Sequence, residues 1–173
     1  MILRVLAMAG GLAGALGASQ FPEFSQQYMQ RLGGAVDELS RQVVRYEADA
    51  DAAGMTLPLY LSALAAEGPL ARTQAANMAA DVARRNDLAA DLAALQGAGP
   101  FMRAKLATHL GDAQIWARAR EQFKPAVPVT FEGASFAGTG FVAGWVALSA
   151  VFWFLSRLWH TVRAPLRRRR AVA

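Results

Sequence analysis

The chain has 173 residues, of which 54% are hydrophobic and only 18% are charged, against about 45–50% and about 25% in soluble globular proteins. It contains no cysteine, which excludes disulfides, thiolate zinc sites, iron–sulfur clusters and a cysteine nucleophile. The net charge is +5, but residues 25–130 hold 11 basic and 11 acidic side chains. Six arginines after residue 156 carry the excess. A basic end next to an apolar run indicates a membrane surface rather than nucleic acid.

The first apolar segment, residues 1–21, is predicted to be a transmembrane helix. Arg4 is its one charged residue, and about 20 helical residues, or about 30 Å, just suffice to cross a bilayer. The competing interpretation is a cleaved secretory signal peptide, because small residues occur near Gly17 and Ala18. Cleavage would leave a secreted chain anchored by a single span. We favour retention because the helical pattern continues past Ser19 without a processing loop.

Residues 22–130 are predicted to form an all-helical extramembrane domain. A first helix is expected over residues 22–53, with large side chains every three or four positions. Gly33 and Gly34 within it indicate either close packing or a hinge. Glycine and proline then separate further helices predicted at 57–67, 70–96, 101–110 and 112–123. Residues 124–130 contain two prolines and are expected to form a stiff connector.

The second apolar segment, residues 131–156, is predicted to be a transmembrane helix. Residues 133–156 include no charged side chain, and their helical length of about 36 Å exceeds the hydrocarbon thickness of a bilayer. Tryptophan near its end suits the membrane interface, and residues 157–173 are predicted to be a basic cytoplasmic tail. The predicted membrane-anchor residues are Trp153, Trp159, Arg157, Arg163, Arg167, Arg168, Arg169 and Arg170.

Small residues recur every three or four positions along both apolar segments. Such stripes let the backbones of two membrane helices approach closely. We predict that the two helices pack antiparallel, although the same glycines would serve equally between two copies of the chain. Bulky residues of the second helix are then expected to point mostly to lipid or another subunit: Phe136, Phe141, Trp145 and Phe152. The predicted helix-packing residues are Gly11, Gly14, Ala18, Gly133, Ala137, Gly140 and Gly144.

No catalytic, cofactor or metal site is predicted. His109 and His160 are the two histidines, and neither has a second ligand at a metal-binding spacing. The acidic run at positions 47–51 lacks the register of a calcium loop. A glycine-rich phosphate loop and a Ser/His/Asp order are also missing from the sequence. We therefore expect a non-enzymatic protein with no cofactor, no evident small-molecule substrate and no nucleic-acid partner.

Two stretches give the sequence a family resemblance: GASQFPEFSQQYMQRLGGAVDEL after the first apolar segment, and REQFKPAVPVTFEGASFAG entering the second. They resemble an uncharacterised bacterial inner-membrane family, a domain of unknown function with two terminal membrane spans and a helical insert. The resemblance implies this topology and no particular activity. Its motif residues in this chain are Gln20, Pro22, Tyr28, Gly33, Phe123, Pro125, Pro128, Glu132 and Gly133.

The two stretches would meet if the spans pair, and we predict that they form a juxtamembrane collar. Its residues are Gln20, Phe21, Pro22, Tyr28, Phe123, Pro125, Pro128 and Glu132. The predicted fold class is therefore an all-α membrane protein, with two transmembrane helices flanking an extramembrane helical domain.

The leading functional hypothesis is a structural or accessory protein of a bacterial inner membrane. It would contact the lipid bilayer and other membrane proteins, either as a subunit of a larger complex or with itself as a homo-oligomer. The alternative is a lipid-binding or membrane-shaping module that uses the basic tail and an amphipathic helix. The arginine bias of the C-terminal end predicts that both termini are cytoplasmic and that residues 25–130 are periplasmic.

Overall fold

Helices make up the regular structure of the described part of the chain. The computed structural model describes residues 2–125 and 129–170, with the backbone alone for 160–170. Within these residues the predicted all-α fold class is confirmed. One turn of 3₁₀-helix, Ala107–Leu110, lies between the fifth and sixth α-helices. The α-helices are α1 Ile2–Ser19, α2 Phe21–Ala52, α3 Leu57–Ala66, α4 Pro69–Leu95, α5 Pro100–Lys105, α6 Ala113–Glu121 and α7 Phe131–Arg170.

The chain divides into two units. The first, here called the two-helix unit, comprises Met1–Glu23 and Lys124–Ala173, and the central unit comprises Phe24–Phe123. Two helical stretches are long and apolar enough to cross a membrane. They are Ile2–Ala52, which begins with α1, and Phe131–Trp159 of α7. One lies near the N-terminus and the other near the C-terminus, as the sequence predicts.

Helix α7 begins with a side-chain cap and extends beyond the predicted span. The Thr130 hydroxyl accepts a hydrogen bond from the backbone N–H of Gly133 at 3.1 Å, which satisfies one of the free donors of the first turn. The helix then runs for 40 residues to Arg170. Residue 156, where we predict that the span gives way to the basic tail, therefore lies inside a continuous helix.

The end of α2 follows from its local sequence. Gly54 adopts a φ of 69°. This left-handed backbone conformation is unfavourable for residues that have a Cβ atom. The N–H of Gly54 donates to the carbonyl of Asp51, and the N–H of Met55 donates to the carbonyl of Ala50, both at 2.9 Å. These two bonds form a Schellman cap, which stops the helix where the sequence predicts that it stops.

The start of α6 is also determined locally. The Asp112 side chain accepts a hydrogen bond from the N–H of Ile115 at 2.9 Å, as expected for a helix N-cap. Thr56 occupies the corresponding position before α3 but makes no side-chain capping bond. Pro58 near the start of α3 removes one donor that such a cap would otherwise satisfy.

The core of the central unit lies between one face of α2 and the helices that follow it. Apolar side chains at helical spacing are buried on α2, α4 and α6, so the amphipathic pattern of the sequence orients these helices. Helix α3 packs against α4. The buried apolar residues of this unit are Tyr28, Leu32, Val43, Ala50, Ala75, Met78, Leu88, Leu95, Leu110, Ile115 and Ala119.

Gly33 and Gly34 lie in the middle of an unbroken α2. A Cβ built on either residue would meet no atom within 4 Å. Of the two interpretations, close packing and a hinge, close packing therefore does not explain this pair. The glycines instead leave open space beside the helix.

Candidate functional site

The two apolar helices contact each other through their glycines. A Cβ built on Gly14 would overlap the carbonyl oxygen of Gly140 and lie 3.3 Å from Cα of Gly144. A Cβ built on Gly144 would lie 3.0 Å from the carbonyl carbon of Gly10, and one on Gly140 would lie 2.5 Å from Cβ of Ala18. Backbone therefore meets backbone, which only small residues allow.

The order of these contacts makes α1 and α7 antiparallel. Positions that advance along α1 meet positions that recede along α7, since Gly10 lies against Gly144 and Gly14 against Gly140. The order continues just after α1, where the ring of Phe21 lies 5.3 Å from that of Phe136. The small residues predicted for packing thus lie on the facing sides of both helices. The two remaining members on α7 are buried and half-buried, respectively: Gly133 and Ala137.

Two aromatic residues of α7 do not face outward as expected. The ring of Phe141 covers Gly11, where an added Cβ would lie 2.7 Å from Cε2, and Phe136 packs on Phe21. Phe141 therefore faces α1 and Phe136 faces Phe21, contrary to the expectation that these rings would point to lipid or another subunit. The glycine face of α1 leaves a groove, and a ring that fills it gains dispersion contacts. Trp145 remains exposed.

The predicted membrane-anchor residues that the structure describes lie on the surface of α7. Trp153 and Trp159 are exposed, and the Arg157 guanidinium lies 5.6 Å from the centroid of the Trp153 ring. This is a cation–π geometry. The side chains of the other predicted anchor residues lie outside the described part of the chain: Arg163, Arg167, Arg168, Arg169 and Arg170.

The predicted collar residues fall into both units. Tyr28 and Phe123 belong to the central unit, in which Phe123 packs edge-on against Phe24 with ring centroids 5.7 Å apart. Pro128 lies outside the described residues. The other members belong to the two-helix unit: Gln20, Phe21, Pro22, Pro125 and Glu132.

A polar network crosses the core of the central unit. The Tyr28 side chain is fully buried, and its hydroxyl accepts a hydrogen bond from the N–H of Asp112 at 3.1 Å. Burial raises the pKa of Tyr28. Asp112 also pairs with Arg84, Oδ2 to Nη1, at 3.1 Å. Burial alone would raise the pKa of Asp112, but hydrogen bonds from Ile115 and Arg84 outweigh it and the pKa lies below its usual value.

A cleft of about 400 Å³ opens between α2, α4 and α6. Arginines from all three helices line it, Arg31, Arg84 and Arg118, together with Glu38 and Gly34. The amino-acid sequence does not predict this cleft. Each arginine by itself has the pattern of a solvated helix face, and no local spacing relates positions on three separate helices.

Histidine and carboxylate side chains do not converge on a metal site in the described residues. Nδ1 of His109 lies 2.7 Å from Oδ1 of Asp91. This contact joins the 3₁₀ turn to α4, so the geometry gives His109 a structural partner.

Comparison with protein-family models identifies the family of this chain. A family model described as "Protein of unknown function (DUF2937)" matches residues 2–164. The chain belongs to this family. The resemblance to a domain of unknown function, based on the two stretches that flank the apolar segments, is thereby confirmed. Among curated proteins and among solved structures, no match to this DUF2937 chain is found.

Proposed function

We propose that this DUF2937 protein is a non-enzymatic structural or accessory protein of a bacterial inner membrane. Helices α1 and α7 hold it in the bilayer, and it acts through contacts with other membrane proteins or with a second copy of itself. The observation that carries the proposal is the outer surface of the paired helices, which stays apolar after they have packed and includes a second row of small residues.

The apolar outer surface of the two-helix unit supports a location within a lipid bilayer. Val5 and Leu16 of α1 are 67% and 69% exposed, and Phe154 of α7 is 62% exposed. Soluble proteins rarely expose large contiguous apolar patches. In lipid the same surface is favourable, and the backbone groups of both helices are satisfied internally.

The second row of small residues supports a contact with another helix. Ala9, Ala13 and Gly17 are spaced four residues apart on α1 and are exposed. A Cβ built on Gly17 would meet no atom within 4 Å. Helix association in lipid depends on close packing at such positions, because lipid chains are as apolar as leucine.

The experiment extracts the full chain with a mild detergent and measures its molar mass with bound detergent subtracted. We expect a mass well above the 18.5 kDa of one chain. Ala13→Phe should reduce the mass to that of one chain because the ring blocks close helix approach. Leu12→Phe is the matched control, since Leu12 is already large and exposed, and it should keep the larger mass. A wild-type monomer would contradict the proposal.

A lipid-binding module is the second candidate, supported by a groove in the two-helix unit. This groove has a volume of about 250 Å³ and is lined by Arg4, Ala7, Ser149, Phe152 and Trp153, among others. A cation beside apolar and aromatic walls matches the headgroup and upper acyl chain of an anionic lipid. Mass spectrometry of the detergent-extracted protein separates the two candidates. A single chain retaining anionic lipid supports the second, and a complex that survives delipidation supports the first.

A further inference from the structure

The cleft between α2, α4 and α6 combines strong positive charge with an apolar wall. Arg31, Arg84 and Arg118 line it from α2, α4 and α6, respectively. Ala35, Leu39 and Ile115 line the same space of about 400 Å³. A cavity of this size with apolar walls and a few convergent polar groups has the form of a small-ligand site.

The charge of the cleft is only partly neutralised by the protein. Arg84 is paired with Asp112, and Glu38 hydrogen-bonds to Arg41 on the outer face of α2. The Arg31 guanidinium donates to the neutral side-chain oxygen of Gln122. Arg118 has no hydrogen-bond or ion-pair partner among the described residues. Residues 25–130 are neutral as a whole. The two guanidinium groups without an acidic partner therefore concentrate positive charge in this cleft, although the net charge of the region is zero.

We propose that this cleft binds a phosphoryl group carried by a small organic molecule or by a lipid headgroup. Guanidinium groups form strong paired hydrogen bonds to phosphate oxygens. Arg31 and Arg118 line the cleft from two different helices, and a tetrahedral oxyanion has several oxygens with which to bind more than one guanidinium group. The apolar wall accommodates the organic part that carries the phosphoryl group. This site lies in the central unit and is independent of the function proposed above for the apolar helices.

Gly34 keeps the cleft open. It lines the cleft, and a Cβ built on it would meet no atom within 4 Å. A larger side chain there therefore takes up space that a ligand needs, without disturbing the packing. Gly33 has equally open surroundings but does not line this cleft, so it provides a matched control.

The first experiment titrates phenyl phosphate into the full chain in phosphatidylcholine nanodiscs and measures binding by calorimetry. The wild type should bind, and added salt should weaken the affinity by screening. Arg31→Gln and Arg118→Gln should each raise the Kd by at least about tenfold, as expected for a lost charge-assisted hydrogen bond. Arg72→Gln, on an exposed part of α4, should leave the Kd unchanged. Wild-type affinity in both cleft variants would overturn the proposal.

The second experiment separates a filled cleft from a damaged fold. Gly34→Leu should abolish phenyl phosphate binding while raising the unfolding temperature, because leucine is a better helix former than glycine. Gly33→Leu should raise the unfolding temperature to a similar extent and retain binding. Full binding by Gly34→Leu, or loss of binding in both variants, would overturn the assignment of the site to this cleft.

The third experiment identifies the source of the phosphoryl group. Phosphatidic acid is added to the nanodiscs, and the phenyl phosphate titration is repeated. A weaker apparent affinity in the wild type supports a lipid headgroup as the occupant, and an unchanged affinity supports a soluble phosphorylated molecule. Absence of phenyl phosphate binding with or without phosphatidic acid would overturn the proposal for both sources.

Discussion

At the scale of single residues, the contact between the apolar helices depends on glycines, whose lack of a side chain lets the two backbones approach. Gly14 and Gly140 each lie where a Cβ would overlap the carbonyl of the other residue. Gly138, two residues away on α7, has no atom within 4 Å of a Cβ position. The same residue type therefore has opposite tolerances on two faces of one helix.

Gly140→Leu should destabilise the helix pair by about 1–3 kcal/mol, because overpacking forces the two backbones apart. Gly138→Leu should not destabilise the pair, since the new side chain enters open space. Thermal unfolding of both variants in detergent, followed by circular dichroism, measures the difference. Equal unfolding temperatures for the two variants would show that the close approach at Gly140 does not stabilise the protein.

Asp112 should make the stability of α6 depend on pH. Its pKa is lower in the folded chain than its usual value, so its stabilising effect is present above the unfolded pKa of about 3.9. This stability is lost as the pH falls through the folded pKa. Protection of residues 113–121 from hydrogen exchange, corrected for intrinsic rates, should therefore decrease in acid.

Asp112→Asn is the test of this pH dependence. Asparagine is also a good N-cap but cannot form the charged pair with Arg84. The variant should show less protection of residues 113–121 at neutral pH and a smaller change in acid. A variant with the same acid-dependent loss as the wild type would show that another group titrates.

At the scale of secondary-structure elements, α2 contains two glycines that lower its helix stability and that packing does not explain. Glycine inside a helix is less favourable than alanine by about 1 kcal/mol, and α2 contains two in succession without a contact that requires them. One of them, Gly34, lines the arginine cleft. The open space beside α2 is thus consistent with a binding role for that side of the helix.

Gly33→Ala should stabilise the central unit by about 0.5–1 kcal/mol through higher helix propensity. Urea unfolding of the full chain in detergent measures the change. Gly14→Ala provides the contrast, since its methyl group would overlap the carbonyl of Gly140 and should lower stability. A loss of stability in Gly33→Ala would indicate that α2 needs a glycine at this position.

At the scale of the whole molecule, the charge distribution determines the proposed orientation. Residues 157–173 contain six arginines, whereas residues 25–130 are neutral as a whole. Basic residues that flank a membrane helix favour the cytoplasmic side. If α1 and α7 both span the bilayer, as we propose, we expect the N-terminus on the same side as the C-terminus.

Single cysteines in this cysteine-free chain test the orientation. Gln96→Cys, in the turn after α4, should react with a membrane-impermeant maleimide in spheroplasts, whereas Ala173→Cys should react only after lysis. The unmodified chain, which has no cysteine, is the control for background labelling. The reverse pattern would contradict the orientation, and an N-terminus beginning near Ser19 would indicate a cleaved signal.

Most helices, their breaks and the two long apolar segments could be predicted from sequence alone. The single helix predicted over residues 101–110 was wrong, because the structure divides it into α5 and the 3₁₀ turn Ala107–Leu110. The correctly predicted features are local, because Gly54 and Asp112 end or begin helices through bonds to residues within five positions. Segment length and the absence of charge likewise need no knowledge of tertiary contacts. The family could also be recognised from the sequence, since the resemblance rests on contiguous stretches that flank the apolar segments.

Which helix faces meet could be learned only from the tertiary contacts. The pattern of small residues identified Gly14 and Gly140 as packing positions, but it did not show that Phe141 covers Gly11. Such a contact depends on the rotation of one helix about its axis, which small-residue spacing does not determine. The arginine cleft has the same origin: Arg31, Arg84 and Arg118 lie far apart in the sequence and meet because three amphipathic helices share one core.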